Sequence, residues 1–319
     1  MVKSVSLYVM EMRVGVLCNS RIALPALQKL CIDKLLVAAG VPDILHNATT
    51  DAMAICKHYG ISCTSFAKKD IADTMKTWIE EYKLSIVLVL TFPYKIPEEI
   101  LLLPKFGFVN FHFGLLPAYR GADAIFPQIK NREAFGGISI HKMNKYFDKG
   151  ALLHIEKIPI LQNDTYGMHS TKLSHVCAQI ISEVAVGICN GRFATTEQNE
   201  NAAAYYKKPG QKDVSISWKT QTAIDIIALL NACNPWNSGA YTLLNRSLLR
   251  IVSATETGSG ENAYPGTVLD VNISGIKVQC FANTALYLNI FYLEEGIYSA
   301  TDLMKIFPIK TGDIFTDIF

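Results

Sequence analysis

An amide, an imidazole and a carboxylate stand in a pattern suited to chemistry. Asn110 and His112 lie two residues apart at the end of the apolar run Phe106 to Val109, and Asp148 follows in Asp148-Lys149-Gly150. In a strand, side chains two apart point to the same face, so the amide and the imidazole converge on one reacting atom. A carboxamide donates hydrogen bonds, an imidazole exchanges protons near neutral pH, and a carboxylate orients or charges the imidazole. Those are the parts needed to pass an acyl group to an amine.

Each residue has a bland counterpart: a satisfied amide at a strand end, a structural histidine, a solvated loop aspartate. The two-residue offset favours function. Asn110 then serves as an oxyanion donor, whose loss typically lowers rates by about 10²–10³. His112 serves as a general acid or base, worth roughly 10²–10⁴. Asp148 supplies the carboxylate that raises the imidazole pKa. The Pro- and Gly-bounded stretch Gly114 to Gly121 follows the strand as a floor for the site, with Arg120 steering an anionic acceptor. His46, His58, His141, His154, His169 and His175 have no comparable context and read as surface or core histidines.

The elements that position these groups follow an α/β pattern. Strands are expected at Val14–Cys18, 34–39, 61–66, 85–91 and 106–112, with helices through Ala23–Leu30, over Asp51–Tyr59 and Ile71–Tyr82, and over the short stretch Pro97–Leu103. Alternating β and α units build a mainly parallel sheet, and ligands of such sheets bind beyond the carboxyl ends of the strands, where Asn110 and His112 fall. No GxGxxG or GxxxxGK[ST] occurs, so a dinucleotide or P-loop reading lacks its fingerprint. Gly136–Met143 and Ala151–Ile160 read as a strand pair around the Asp148 loop, and Tyr166–Cys189 as a long helix ended by Asn190-Gly191.

The polar stretch Phe193 to Tyr205 reads as a linker. A helix at Thr220–Ala232, β runs at 248–254, 266–271, 276–280 and 285–293, and a helix at Ser299–Ile306 make the remainder a mostly β domain, with a barrel expected. The expected division is residues 1–194, a linker at 195–205, and 206–319.

The chain has 319 residues, half of them hydrophobic, with a formal charge of +2. That suits about two domains with a sizeable core and argues against disorder. It does not demand nucleic acid or an anionic membrane. Eight cysteines are scattered without a CxxC, so buried thiols in a reducing cytosol are favoured over a zinc site, and a cytoplasmic location is expected. No uncharged apolar run of about 18 residues signals a membrane span. Residues 1–11 read as a leader from an upstream start or as an added strand.

These residues resemble the N10-formyltetrahydrofolate-dependent formyltransferases. The matching motifs are Asn110-Phe111-His112, Gly114-Leu115-Leu116-Pro117-Ala118-Tyr119-Arg120-Gly121, Asp148-Lys149-Gly150, and Phe92-Pro93-Tyr94-Lys95-Ile96-Pro97. The segments Ile216-Ser217-Trp218, Asn234-Pro235-Trp236, Pro265-Gly266-Thr267-Val268-Leu269 and Lys310-Thr311-Gly312-Asp313 resemble the C-terminal domain of the methionyl-tRNA branch. The resemblance implies a Rossmann-like catalytic domain and an OB-like second domain. It implies N10-formyltetrahydrofolate as co-substrate, no metal and no membrane. Phe92, Tyr94, Ile96, Leu115, Met143 and Asp148 would hold the folate. Asn110, His112 and Asp148 would be catalytic, and Tyr119, Arg120 and Asp123 would meet the amine acceptor.

The acceptor stays open. Phe113-Gly114 and Ala122-Asp123-Ala124 depart from the family's usual Pro-Ser and Ala-Ala-Pro, and Asp123 adds a carboxylate suited to an ammonium group. From Tyr206 onward, nine lysines and arginines face ten acids, a net of −1, which is a poor footprint for RNA. Methionyl-tRNA, a small or carrier-bound amine such as an amino-sugar nucleotide or an amino acid, water in a hydrolase, and a non-catalytic folate-binding relic are the alternatives.

Overall fold

The computed structural model describes residues 12–319, so the leader or added strand lies outside the described residues. Two compact units make up the chain. The first gathers residues up to Gly121, Gly136–Pro159 and Ser170–Tyr206; the second gathers Ala122–Phe135, Ile160–His169 and Lys207–Phe319. Segments 122–135 and 160–169 thus cluster with the C-terminal part, so the units do not follow one cut in the sequence.

The first unit is built on strands β1 (Val14–Cys18), β2 (Leu36–Pro42), β3 (Ser62–Phe66), β4 (Ile86–Leu90) and β5 (Phe108–His112), then the short β6 (Arg120–Gly121), β7 (Phe135–Lys142), β8 (Leu152–Pro159) and the short β9 (Tyr205–Tyr206). Seven of them form one sheet in the order β3-β2-β1-β4-β5-β7-β8. Pairs β1/β2, β2/β3, β1/β4 and β4/β5 are parallel, and β5/β7 is antiparallel. β1 and β4 are buried along their whole length, which explains why both read as continuous apolar runs rather than alternating ones.

Helix boundaries moved where a cap decides them. The helix expected from Asp51 starts at Asn47, because His46 accepts from the Thr49 N–H and Thr49 answers with its hydroxyl. Ser20, by contrast, caps nothing with its side chain and instead accepts from Thr91. The helix Tyr166–Cys189 is long and apolar enough to cross a membrane by length and composition, yet Leu173, Cys177, Ile181 and Ala185 are buried along one face, as in a core helix.

The second unit carries β10 (Ala240–Leu244), β11 (Ser247–Ser259), β12 (Val268–Asn272), β13 (Gly275–Gln279), β14 (Thr284–Leu293), β15 (Gly296–Ser299) and β16 (Phe315–Thr316). The order is β12-β13-β14-β11-β10-β16, with β15 added to β14. Thr267 bridges Ile314, and Phe315 N–H reaches the Gly266 carbonyl at 2.8 Å. The two ends of the curled sheet therefore meet, which covers two strand edges that would otherwise be open. β10 is an element that the sequence pattern hid, because it emerges directly from the Ser238-Gly239 turn.

Candidate active site

β5 ends in Asn110 and His112, and β7 runs antiparallel beside it with Asn110 opposite His141 and His112 opposite Ser139. Residues directly opposite in an antiparallel pair share a face, so four polar side chains gather on one side of the sheet. Asn110 Nδ2 lies 3.1 Å from His141 Nε2, and His141 Nδ1 lies 3.0 Å from the Lys142 carbonyl. A carbonyl only accepts, so the His141 proton sits on Nδ1 and Nε2 accepts one N–H of the Asn110 amide. The amide is thereby oriented, with its second N–H left for another acceptor. Asn110 is half-buried and His141 is buried.

His112 is buried and donates from Nε2 to the Tyr119 carbonyl. Its Nδ1 lone pair faces Asp148 Oδ1 at 3.6 Å. Burial pushes the imidazole pKa below its ordinary 6.5; the Asp148 charge and the Tyr119 carbonyl oppose that, and His141 adds to it. The ring is neutral at pH 7, and Nδ1 is the atom that takes a proton.

Asp148 occupies the β7–β8 loop with φ of 55°, a left-handed conformation that aspartate tolerates better than most residues. Its Oδ2 accepts from Gly121 N–H at 2.9 Å, and its Oδ1 is 3.8 Å from His141 Nε2. Burial raises the carboxyl pKa, but in acid the protonated His141 and His112 rings, with the Gly121 N–H, outweigh it and hold the group at about 2. Gly150 lets this loop close: a Cβ there would lie 1.6 Å from the Lys142 carbonyl oxygen.

Of the residues expected to hold folate, Phe92, Tyr94, Ile96 and Met143 are brought together, whereas Leu115 packs elsewhere, over Gly137. Phe92 packs edge-on against Tyr94 at 5.5 Å and against Phe66 at 6.2 Å. Phe92, Tyr94, Ile96 and Met143 join one apolar cluster. Met143 N–H reaches the Phe108 carbonyl at 2.8 Å, which ties the Asp148 loop to β5. Leu115 lies over Gly137, where a Cβ would come within 2.5 Å of its Cδ2. Ser139, buried and missed in the sequence, fixes that loop through Leu116 N–H at 2.9 Å and the Gly114 carbonyl at 2.7 Å. Phe92, Tyr94 and Met143 are partly exposed on that apolar base.

The residues expected to meet the acceptor are placed differently. Arg120 is fully buried, and its guanidinium is engaged by Gln198 and Glu200, so it does not steer an anion from solution. Tyr119 is buried and stacks on Tyr206 at 5.2 Å, serving the site through its carbonyl. Asp123 belongs to the second unit, where its carboxylate accepts from Phe126 N–H at 3.2 Å and burial pushes its pKa up. His141 is the functional-site residue that the sequence reading set aside. Its signal was the alternation Ser139-Ile140-His141 on a predicted strand, legible only once that strand is paired with Asn110-Phe111-His112. Among the described residues, no group of three or more His, Cys, Asp or Glu is arranged to hold a metal.

A Rossmann-like unit with an amide, imidazole and carboxylate at a strand end, followed by a β domain, defines a class of group-transfer enzyme. Residues 44–185 match the formyl transferase family and residues 209–307 match the formyl transferase C-terminal domain. The methionyl-tRNA formyltransferase of Caldicellulosiruptor saccharolyticus is 33% identical over 234 residues, covering 72% of this chain and 74% of that protein. That of Mycoplasma mycoides is 30% identical over 242 residues, covering 74% and 76%. In fold, the chain resembles an N-formyltransferase from Helicobacter canadensis solved with folinic acid and dTDP-3-aminofucose, with a TM-score of 0.64 at 16% identity, covering 90% of this chain and all of that one. It also resembles HypX from Aquifex aeolicus in complex with tetrahydrofolic acid, with a TM-score of 0.62 at 15% identity, covering 96% of this chain and 51% of that one. The chain belongs to the folate-dependent formyltransferase family and is most similar to its methionyl-tRNA branch.

Proposed function

We propose that the chain moves the formyl group of N10-formyltetrahydrofolate to the amine of methionyl-tRNA. The convergence of Asn110, His112 and Asp148 on one face, at 3.6 Å between imidazole and carboxylate, is the observation that carries the chemistry. Relatives bearing the methionyl-tRNA name across nearly three quarters of the chain support the acceptor.

The reduced folate supplies a formyl carbon already at the acyl level. Phe92, Tyr94, Ile96, Leu115 and Met143 bind and orient it and exclude water from the reacting centre. Asn110, its amide turned by His141, donates its free N–H to the formyl oxygen as negative charge grows there. His112 Nδ1 takes the proton that the attacking amine must lose, and Asp148 stabilises the imidazolium so formed. The same proton is then available for the departing folate nitrogen. Arg120 and Tyr119 shape the floor rather than touch the acceptor.

The even charge balance of residues 206–319 favours a second reading, in which the acceptor is a small amine such as an amino sugar on a nucleotide. Incubation with N10-formyltetrahydrofolate and, in turn, initiator methionyl-tRNA, an amino-sugar nucleotide and buffer alone separates the two. Tetrahydrofolate release with the tRNA, at least about a hundredfold faster than with buffer, is expected. Release with the sugar nucleotide and none with the tRNA would replace the first reading by the second, and equal release in all three would make the enzyme a hydrolase.

A further inference from the structure

We propose that Gln198 is a positioning residue for formyl transfer: with Arg120 behind it, its carboxamide clamps the Asp148 loop in the conformation that presents the carboxylate to His112. This rests on the site reading above, in which Asp148 serves His112.

Gln198 uses its whole carboxamide. Nε2 donates to the Asp148 carbonyl and to the Gly150 carbonyl, both at 2.8 Å. Oε1 accepts from Arg120 Nε at 3.1 Å and from Arg120 Nη2 at 2.7 Å. Two donors meet two carbonyls and one acceptor meets a guanidinium edge, a combination that only an amide of this length supplies. Arg120 is itself immobilised. It is fully buried, forked onto Glu200 at 2.6 and 3.0 Å, and held in the main chain by its N–H to the Ala204 carbonyl at 2.9 Å. Glu200 also binds Lys149 at 2.9 Å, and Tyr205 reaches the Phe147 carbonyl at 3.3 Å.

The segment from Gln198 to Tyr206, which reads as linker from its composition, is therefore a strap across residues 147–150. The strap has something to hold. Asp148 has a φ of 55°, and the loop passes so close to β7 that Gly150 has no room for a Cβ. The carboxylate is aimed by the backbone conformation, and the two carbonyls that define that conformation are those that Gln198 grips. A free loop would sample other φ values and move the carboxylate out of its 3.6 Å relation to His112. A displacement of about 1 Å in a catalytic group can lower rates by the order of 10².

The test is a double-mutant cycle between Gln198→Met and Asp148→Asn, read as formyl transfer from N10-formyltetrahydrofolate to whichever acceptor gives the fastest tetrahydrofolate release in the screen above. 5-Formyltetrahydrofolate affinity and hydrogen exchange in the peptide spanning residues 143–150 are measured in parallel. Gln198→Met is expected to lower kcat by about 30- to 100-fold, leave folate affinity within about threefold, and speed exchange in that peptide. In the Asp148→Asn background it should cost less than about threefold more, because an effect transmitted through the carboxylate vanishes with it. A purely structural residue would multiply its loss in both backgrounds. Arg120→Lys, which keeps the charge but removes the fork, gives a second variant should Gln198→Met fold poorly; a smaller loss, again absent without Asp148, is expected. Parent-like kcat in Gln198→Met beside a disabled Asp148→Asn would overturn the clamp alone. Parent-like kcat in Asp148→Asn would overturn the site reading and the clamp with it.

Discussion

Asn110 and His141 stand directly opposite each other on β5 and β7, with the amide nitrogen 3.1 Å from the ring nitrogen. The Lys142 carbonyl fixes the His141 tautomer, and the tautomer fixes which end of the amide faces the reacting centre. His141→Ala frees the amide to flip, so that an oxygen replaces the donor part of the time. A fall of about 10- to 100-fold in kcat is expected, below the 10²–10³ typical of losing an oxyanion donor outright, with folate affinity unchanged. Steady-state kinetics beside a folate titration checks this; equal losses in both would make His141 a binding residue.

The pH dependence follows from two depressed pKa values. His112, the proposed base, is neutral, and its pKa lies below 6.5 because it is buried. Asp148 stays charged down to about 2. Once the ionisation of the free acceptor amine is divided out, the acid limb of kcat/KM should therefore have a single apparent pKa below 6.5, with no carboxylate limb above pH 4. Folding stability shifts in the same direction. The unfolded chain binds protons to both groups before the folded chain does, so stability is lost as pH falls through 6.5 for His112 and between 3.8 and about 2 for Asp148. A pH series of kcat/KM with the thermal midpoint measured at each point checks both; an acid limb still centred above 6.5 after correction for the amine's own titration would contradict the buried, neutral base.

Gly150 is required by space rather than by backbone angle. A Cβ 1.6 Å from the Lys142 carbonyl oxygen forces the loop away from β7. Gly150→Ala is expected to destabilise by at least the ~1–3 kcal/mol typical of overpacking, lowering the thermal midpoint by several degrees. Activity per folded molecule should fall as well, since Asp148 moves with the loop. A stable, fully active variant would show that the loop has room to shift.

The strand that carries Asn110 and His112 is the most legible part of the chain. An apolar run ending in Asn-x-His declares both a buried strand and a polar face, and the alternation at 136–143 declares its neighbour. What sequence spacing could not supply was the register between those strands, and His141 was lost with it. Arg120 misled for a related reason. Its charge suggests an anion in solution, whereas its partners, Gln198 and Glu200, lie about eighty residues away. Their polar composition reads as linker until β9 is paired with β6. In the second unit, the helix Ala223–Cys233 was visible from its apolar pattern as the expected Thr220–Ala232, while the short β16, which takes its ladder hydrogen bonds from β10, carries little signal alone.

The most direct measurement is formyl transfer by Asn110→Ala, followed as tetrahydrofolate release with the preferred acceptor, beside its affinity for 5-formyltetrahydrofolate. A loss of about 10²–10³ in kcat with folate affinity within about threefold of the parent is predicted. Transfer at the parent rate by this variant would contradict the assignment of its amide to the oxyanion.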